Sequence, residues 1–106
     1  MADRVTQEAL MSIGRRYAEV LRRELTLRSL YIFGSYATGK YGDDSDIDIA
    51  VVSDDLTGDM IEDTFALMRL RREIDTRIEP HPFPTSDFTE DNPIAREIME
   101  TGIRVL

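Results

Sequence analysis

The chain has 106 residues, of which 42% are hydrophobic, and no apolar run approaches the length of a membrane span. This length predicts a single domain, residues 1–106, with a core of its own but little surface to spare. The absence of cysteine excludes disulfides, and the first residues do not resemble a signal peptide. We therefore expect a cytoplasmic protein that does not act at a membrane.

The charge is strongly acidic, because 21 acidic residues against 13 basic ones give a formal net charge of −8. Such a charge opposes tight nonspecific binding to nucleic acid, which requires that phosphates be neutralised. It therefore disfavours a polymerase that acts on a long duplex. Small nucleotides held through a metal ion, or a protein partner, fit the charge better; the alternative is that the acidity only aids solubility.

Two secondary-structure elements are predicted before the first motif. Apolar residues recur at spacings of three to five from Val5 to Leu25, which indicates an amphipathic helix. Arginines and glutamates lie between them and predict a solvated opposite face. The segment Leu27 to Phe33 is rich in strand-forming residues and short enough to be a strand.

A glycine-rich turn and an aspartate pair come next. Gly34-Ser35 directly follows the predicted strand, and a small-residue turn in that place exposes backbone N–H groups and a hydroxyl to a phosphate. Asp46 and Asp48 open a second apolar run; two apart in a strand, they face the same side and repel each other unless a cation holds them. Oxygen ligands of this kind suit Mg²⁺ or Mn²⁺. Together the two motifs predict a site for nucleotide phosphates and divalent metal.

The spacing of these motifs resembles that of a known protein superfamily. Gly34-Ser35, ten intervening residues and then Asp46-x-Asp48 resemble the signature of the nucleotidyltransferase fold shared by the DNA polymerase β superfamily. The chain is most similar to the minimal nucleotidyltransferases of that superfamily. The motif itself covers about fifteen residues, but the order of predicted elements fits nearly the whole chain.

One position departs from the resembled pattern. Many relatives carry arginine where this chain has Thr38, so that Lys40 or another basic residue would have to supply a phosphate-binding cation. Lys40 and Tyr41 are expected to be exposed loop residues, with contact to a triphosphate or a base as the alternative.

A second helix is predicted from Asp59, which forms a capping pair with Glu62, to about Arg72. Ile61 and Phe65 lie along one side of it within a broad apolar stripe. We therefore expect both side chains in the core, against the sheet.

The range 74–79 alternates strictly between apolar or small and charged residues, which predicts a half-buried strand. Its charges alone would be read as solvent-facing. The resembled family, however, has a third carboxylate near the start of a strand beside the first two. The resemblance therefore implies Asp75 as the third carboxylate, with Glu79 as the alternative.

The alternating prolines Pro80, Pro82 and Pro84 exclude a regular helix or a central strand and predict a rigid, extended edge or loop. His81 lies between two of them. It is expected to be inert, with a role at the rim of the site as the alternative.

The last segment has clear boundary signals. Asn92 as N-cap, Pro93 at the first helical position and Gly102 as the stop predict a final helix. The range 103–106 is expected to form a short strand. The complete order of elements predicts an α+β fold, a small mixed β-sheet flanked by helices, as in the resembled family.

The resemblance also implies an activity. This is metal-dependent transfer of a nucleoside monophosphate, most simply AMP from ATP, to a hydroxyl. Asp46, Asp48 and Asp75 would be catalytic and would hold two Mg²⁺ ions, while Gly34 and Ser35 would bind the outer phosphates.

Small relatives often lie beside HEPN-domain proteins as toxin–antitoxin pairs, in which the nucleotidyltransferase modifies a tyrosine of its partner. The resemblance therefore implies a HEPN-type protein partner. The alternatives are a weak or inactive binding antitoxin or scaffold, and a small-molecule nucleotidyltransferase of the antibiotic-modifying type.

Overall fold

The structure, a computed structural model, describes residues 6–40, 42 and 45–106, and predictions that concern Val5 and Tyr41 fall outside them. Asp43 and Asp44 lie outside as well. The elements, in chain order, are α1 (Gln7–Arg22), β1 (Leu27–Phe33), α2 (Ser35–Thr38), β2 (Ile47–Ser53), α3 (Met60–Arg71), β3 (Ile78–Pro84), a 3₁₀ turn (Thr85–Asp87), α4 (Pro93–Thr101) and β4 (Ile103–Arg104).

The strands form one mixed sheet in the order β3-β2-β1-β4. β1 is antiparallel to β2 and to β4, whereas β2 and β3 are parallel and are connected through α3. In this register Asp48 of β2 lies between Phe33 of β1 and Glu79 of β3. The predicted α+β fold is therefore confirmed, and three strands bring side chains to one place.

The two faces of the sheet are covered unequally. Helices α1 and α3 cover one face, over an apolar layer that includes Ile32, Ile49 and Ile78. On the other face Ile98 of α4 packs against Tyr31 and Ala50. This second face is not covered at Asp48, whose side chain is 25% exposed.

The final helix follows its predicted boundaries. The side chain of Asn92 accepts hydrogen bonds from the backbone N–H groups of Ile94 (3.0 Å) and Ala95 (3.4 Å), and Pro93 occupies the first turn. Gly102 ends the helix. Helix α1 is shorter than predicted at its C-terminal end, because the chain turns after Arg22 to reach β1.

Helix α3 presents a different face to the sheet from the one predicted. Ile61 and Phe65 are 69% and 67% exposed, so their expected place in the core is wrong. The buried face is instead centred on Leu67 and Asp63. Asp63 is retained there because its carboxylate accepts hydrogen bonds from the N–H groups of Thr57 (2.9 Å) and the glycine after it (3.1 Å).

The strand predicted over residues 74–79 is wrong for residues 74–77. Residues 74–77 form a turn that continues from α3, and its first two N–H groups donate to the carbonyl of Arg71. β3 begins at Ile78 and runs through the prolines to Pro84. Prolines are tolerated because β3 is an edge strand with β2 as its neighbour, which confirms the extended edge predicted for this segment.

Among the helices that the described residues form, none is both long enough and apolar enough to cross a membrane.

The N-cap of α3 provides a test of this architecture. Asp59 accepts hydrogen bonds from the N–H groups of Ile61 (3.0 Å) and Glu62 (3.1 Å), so Asp59→Ala should lower the free energy of unfolding by about 1 kcal/mol. Asp59→Asn keeps the accepting oxygen and should stay within a few tenths of a kcal/mol of the wild type. Urea unfolding measures both, and an equal loss in the two variants would contradict the capping role.

Candidate active site

Gly34 joins β1 to α2 in a backbone conformation that other residues resist, with φ 74° and ψ −145°. A Cβ atom at this position would collide with Oδ2 of Asp48. Phe33 is paired with Asp48 in the sheet, so the turn starts directly beside this carboxylate. The two motifs that are separated in sequence are therefore in contact in the fold.

Helix α2 begins at Ser35, and the carbonyl of Gly34 accepts the first hydrogen bonds of the helix. The N–H groups of Ala37 and Thr38 both donate to this carbonyl at 3.1 Å, and the Thr38 hydroxyl donates to it at 3.2 Å. The position that carries arginine in many relatives thus holds a hydroxyl bonded to its own helix, and it supplies no cation. Lys40 is exposed just after the helix, which confirms the expectation for this residue.

Asp46 and Asp48 are held differently by the backbone. β2 begins between them at Ile47, so Asp46 is exposed before the strand while Asp48 is half-buried within it. Both are close to Glu79: Asp48 is its partner in the parallel register, and Asp46 is near enough to help raise the pKa of its carboxyl group. The structure therefore brings the predicted pair to a common third carboxylate.

This grouping raises the pKa of Glu79 above its usual range. The main cause is the hydrogen bond with Asp46, since a proton held between two carboxyl groups stabilises the neutral acid; partial burial and the negative charge of Asp48 act in the same direction. His81 opposes the shift. Like charges gathered in this way indicate a place where a cation would relieve the repulsion.

His81, which its sequence context predicted to be inert, adds a nitrogen donor to the group. Its Nε2 lies 3.0 Å from Oδ1 of Asp48. Three ligand atoms lie within 4.8 Å of one another, one each from Asp48, Glu79 and His81. This donor set fits a divalent ion. The signal in the sequence was the spacing of Glu79 and His81, two apart on one face of a strand, which the flanking prolines concealed.

Asp75 lies outside this group. It is part of the turn before β3, where its carboxylate accepts hydrogen bonds from the Arg77 backbone N–H (2.9 Å), Nε (3.0 Å) and Nη2 (2.7 Å). The hydrogen bonds from Arg77 are the main reason that the pKa of Asp75 is lowered. The geometry favours Glu79 over Asp75 as the third carboxylate, and a ligand role for Asp75 stays a prediction.

Two grooves open beside the carboxylates on the outer side of β3. The first, of about 340 Å³, is lined by Asp46, Glu79 and Arg71 among others. The second, of about 400 Å³, is more apolar and shares His81 and the neighbouring Pro82 with the first. The Gly-Ser turn lies on the β1 side of Asp48 and the grooves on the β3 side, so two molecules can approach the carboxylates from opposite directions.

The contact between Gly34 and Asp48 can be tested without any ligand. Gly34→Ala should lower the free energy of unfolding by about 2 to 4 kcal/mol, because strain and collision add. Gly39→Ala is the matched control, since φ is also positive there, 79°. None of the described residues comes within 4 Å of where its methyl carbon would lie, so only about 1 kcal/mol should be lost.

The two variants should also differ at His81, the single histidine of the chain, whose imidazole proton resonances report the position of Asp48. The resonances should move in Gly34→Ala and keep their positions in Gly39→Ala. Unchanged resonances in both would mean that Asp48 does not depend on Gly34.

The fold and the motifs agree with known proteins. Among solved structures, a protein from Sulfolobus solfataricus classed as a nucleotidyltransferase is 23% identical, with a TM-score of 0.62 over 92% of this chain and 80% of that one. A toxin–antitoxin with AMP-PNP is 22% identical, with a TM-score of 0.66 over 88% of this chain and 72% of that one.

A mutant of the toxin–antitoxin MntA-HpeT is similar to the same extent, at 20% identity and a TM-score of 0.65 over 88% of this chain and 72% of that one. No curated protein matches the chain significantly. The profile of the family described as "Polymerase beta, Nucleotidyltransferase" matches residues 16–106, a range that contains both motifs and all three carboxylates of the site. The chain therefore belongs to the polymerase β nucleotidyltransferase family.

Proposed function

We propose that this protein is a metal-dependent nucleotidyltransferase that moves AMP from ATP to a hydroxyl of a partner protein, as one component of a toxin–antitoxin pair. The observation that carries the proposal is the contact of Gly34 with Asp48 at the point where Glu79 and Asp46 also meet. A phosphate-binding turn and a group of carboxylates in direct contact are what nucleotidyl transfer requires.

The residues have distinct roles in this proposal. Gly34 and Ser35 would hold the outer phosphates of ATP. Asp46, Asp48 and Glu79 would bind Mg²⁺, and we propose two ions. When bound, divalent ions neutralise phosphate charge and lower the pKa of an attacking hydroxyl. Through such ions the carboxylates would hold the α-phosphate near the Gly-Ser turn.

The transfer itself exchanges one phosphorus–oxygen bond for another. The hydroxyl oxygen of the acceptor bonds to the α-phosphorus, the bond from that phosphorus to the oxygen bridging to the β-phosphate breaks, and pyrophosphate leaves. The hydroxyl proton passes to water, either directly or by way of one of the carboxylates of the site. Since the Gly-Ser turn occupies the β1 side of Asp48, the acceptor enters from the grooves on the β3 side.

Several features support a protein as the acceptor. The grooves are open along the edge of the sheet, and Met60, an exposed apolar side chain at the start of α3, lines both of them. Ile61 and Phe65 of the same helix are exposed as well. Two of the similar structures are toxin–antitoxins, one of them with AMP-PNP, which supports both the nucleotide and a protein partner. A HEPN-type protein is the partner that we propose.

The nucleotide part of the proposal is tested by isothermal titration of ATP, and then GTP, with and without Mg²⁺. The wild type should bind ATP only with Mg²⁺, and the Asp46→Ala/Asp48→Ala variant should lose at least about tenfold in affinity because its metal ligands are gone. Equal or absent binding in both proteins would overturn the catalytic proposal and leave a binding antitoxin on a nucleotidyltransferase fold.

The third carboxylate is tested by comparing Glu79→Gln with Asp75→Asn, two substitutions that each remove one negative charge and keep the shape. Transfer of labelled AMP to the partner should fall by a factor of about 100 or more in Glu79→Gln, since a metal ligand is lost. Asp75→Asn should stay within a few-fold of the wild type. The opposite result would restore Asp75 as the third ligand.

A further inference from the structure

His81 is the single histidine of the chain, and the fold fixes it beside the carboxylates. It lies two residues after Glu79 on β3, so both side chains emerge on the same face of the sheet as Asp48. The residue paired with His81 on β2 is Ala50, whose small side chain leaves the imidazole room beside Asp48. This placement is a consequence of the parallel register of β2 and β3.

The neighbours of His81 also restrict its movement. Pro80 and Pro82 fix the backbone on either side of it. The Phe33 ring packs edge-on against the imidazole, with ring centroids 5.0 Å apart and planes inclined by 63°. The imidazole therefore has a defined position before any ligand arrives, as a preorganised site requires.

The distances suit a shared ion. In octahedral coordination at 2.0–2.1 Å, neighbouring ligand atoms are about 3.0 Å apart. His81 Nε2 and Asp48 Oδ1 are 3.0 Å apart. When a carboxylate oxygen of Glu79 is added, the three ligand atoms all lie within 4.8 Å of one another. One nitrogen and two carboxylate oxygens can thus face one ion after small adjustments.

The nitrogen changes which ion the site favours. Mg²⁺ is bound mainly through carboxylates, phosphates and water. Imidazole suits the later first-row transition ions best, and Mn²⁺, which also suits carboxylates, is the first member of the series whose affinity for nitrogen-containing sites rises across the row. We propose that His81 is a direct metal ligand and that the site consequently binds a first-row transition ion such as Mn²⁺ in preference to Mg²⁺. This inference rests on the metal site of the proposed function and specifies its ion.

The opposing arrangement is a His81 that carries a hydrogen on Nε2, donates it to Asp48 Oδ1 and orients this carboxylate without touching the ion. It predicts the same 3.0 Å distance in the structure. A spectroscopic test separates the two arrangements because only direct coordination couples the imidazole nitrogen strongly to the electron spins of the ion.

The test is pulsed electron paramagnetic resonance of Mn²⁺ bound to the full chain without nucleotide, prepared without a histidine tag. Labelling with ¹⁵N-histidine then marks His81 alone. We expect ¹⁴N modulation typical of a coordinated imidazole in the unlabelled protein, replaced by the ¹⁵N pattern in the labelled one. Bound Mn²⁺ with no isotope-dependent nitrogen coupling would overturn the inference.

Affinity gives a second measure. Competition between Mn²⁺ and Mg²⁺ should show that His81→Asn weakens Mn²⁺ binding by on the order of tenfold or more while changing Mg²⁺ binding less, so that the preference shrinks. Asp87→Asn is the control, because this exposed carboxylate lines only the neighbouring groove and its loss should leave the preference unchanged. An unaltered preference in His81→Asn would overturn the inference.

Asp48→Asn distinguishes failure of this inference from failure of the proposed function. Mn²⁺ binding that is lost in Asp48→Asn, but that lacks the His81 signal in the wild type, overturns only the role of His81. The absence of Mn²⁺ binding in the wild type, or binding that Asp48→Asn leaves intact, overturns the metal site and with it both proposals.

Discussion

The close packing of Gly34 against the Asp48 carboxylate is the contact on which the rest of the site depends. It requires a residue without a side chain in a backbone conformation of positive φ, and it also requires Asp48 to point to the open face of the sheet. The antiparallel pairing of β1 and β2 brings the two residues together, because it places the end of β1 beside the beginning of β2. The position of the Gly-Ser turn and that of the Asp48 carboxylate therefore depend on each other.

The parallel strand β3 completes this arrangement. Helix α3 returns the chain so that Glu79 lies beside Asp48 and His81 follows two residues later. The site therefore combines side chains of β2 and β3 with the turn that follows β1. Strand register fixes the positions of Asp48, Glu79 and His81, whereas Asp46 precedes β2. A register shift of one residue in β3 would turn both Glu79 and His81 to the opposite face.

Much of this structure could be predicted from local signals. The Gly-Ser turn and the caps at Asp59 and Asn92 act within a few residues of the chain, and the structure has them as expected. Of the aspartate pair, only Asp48 lies in the predicted strand, because β2 begins after Asp46. The third carboxylate could not be derived in this way. The alternating pattern before β3 belongs to a turn, since the Asp75 carboxylate is hydrogen-bonded to Arg77, and the strand itself is hidden by prolines that only an edge position tolerates.

Which face of α3 is buried could not be predicted either. A broad apolar stripe does not specify which part of it meets the sheet. The buried part includes Asp63, whose carboxylate is stabilised by N–H donors of the preceding loop.

The prolines of β3 also determine how this sheet can meet other molecules. Residues 80, 82 and 84 have no N–H group, so the outer edge of β3 cannot form the regular ladder by which a foreign strand would extend the sheet. The opposite edge is β4, which is only two residues long. Within the part of the chain that the structure describes, addition of a strand to the sheet is thus hindered at one edge by missing donors and at the other by the short length of β4.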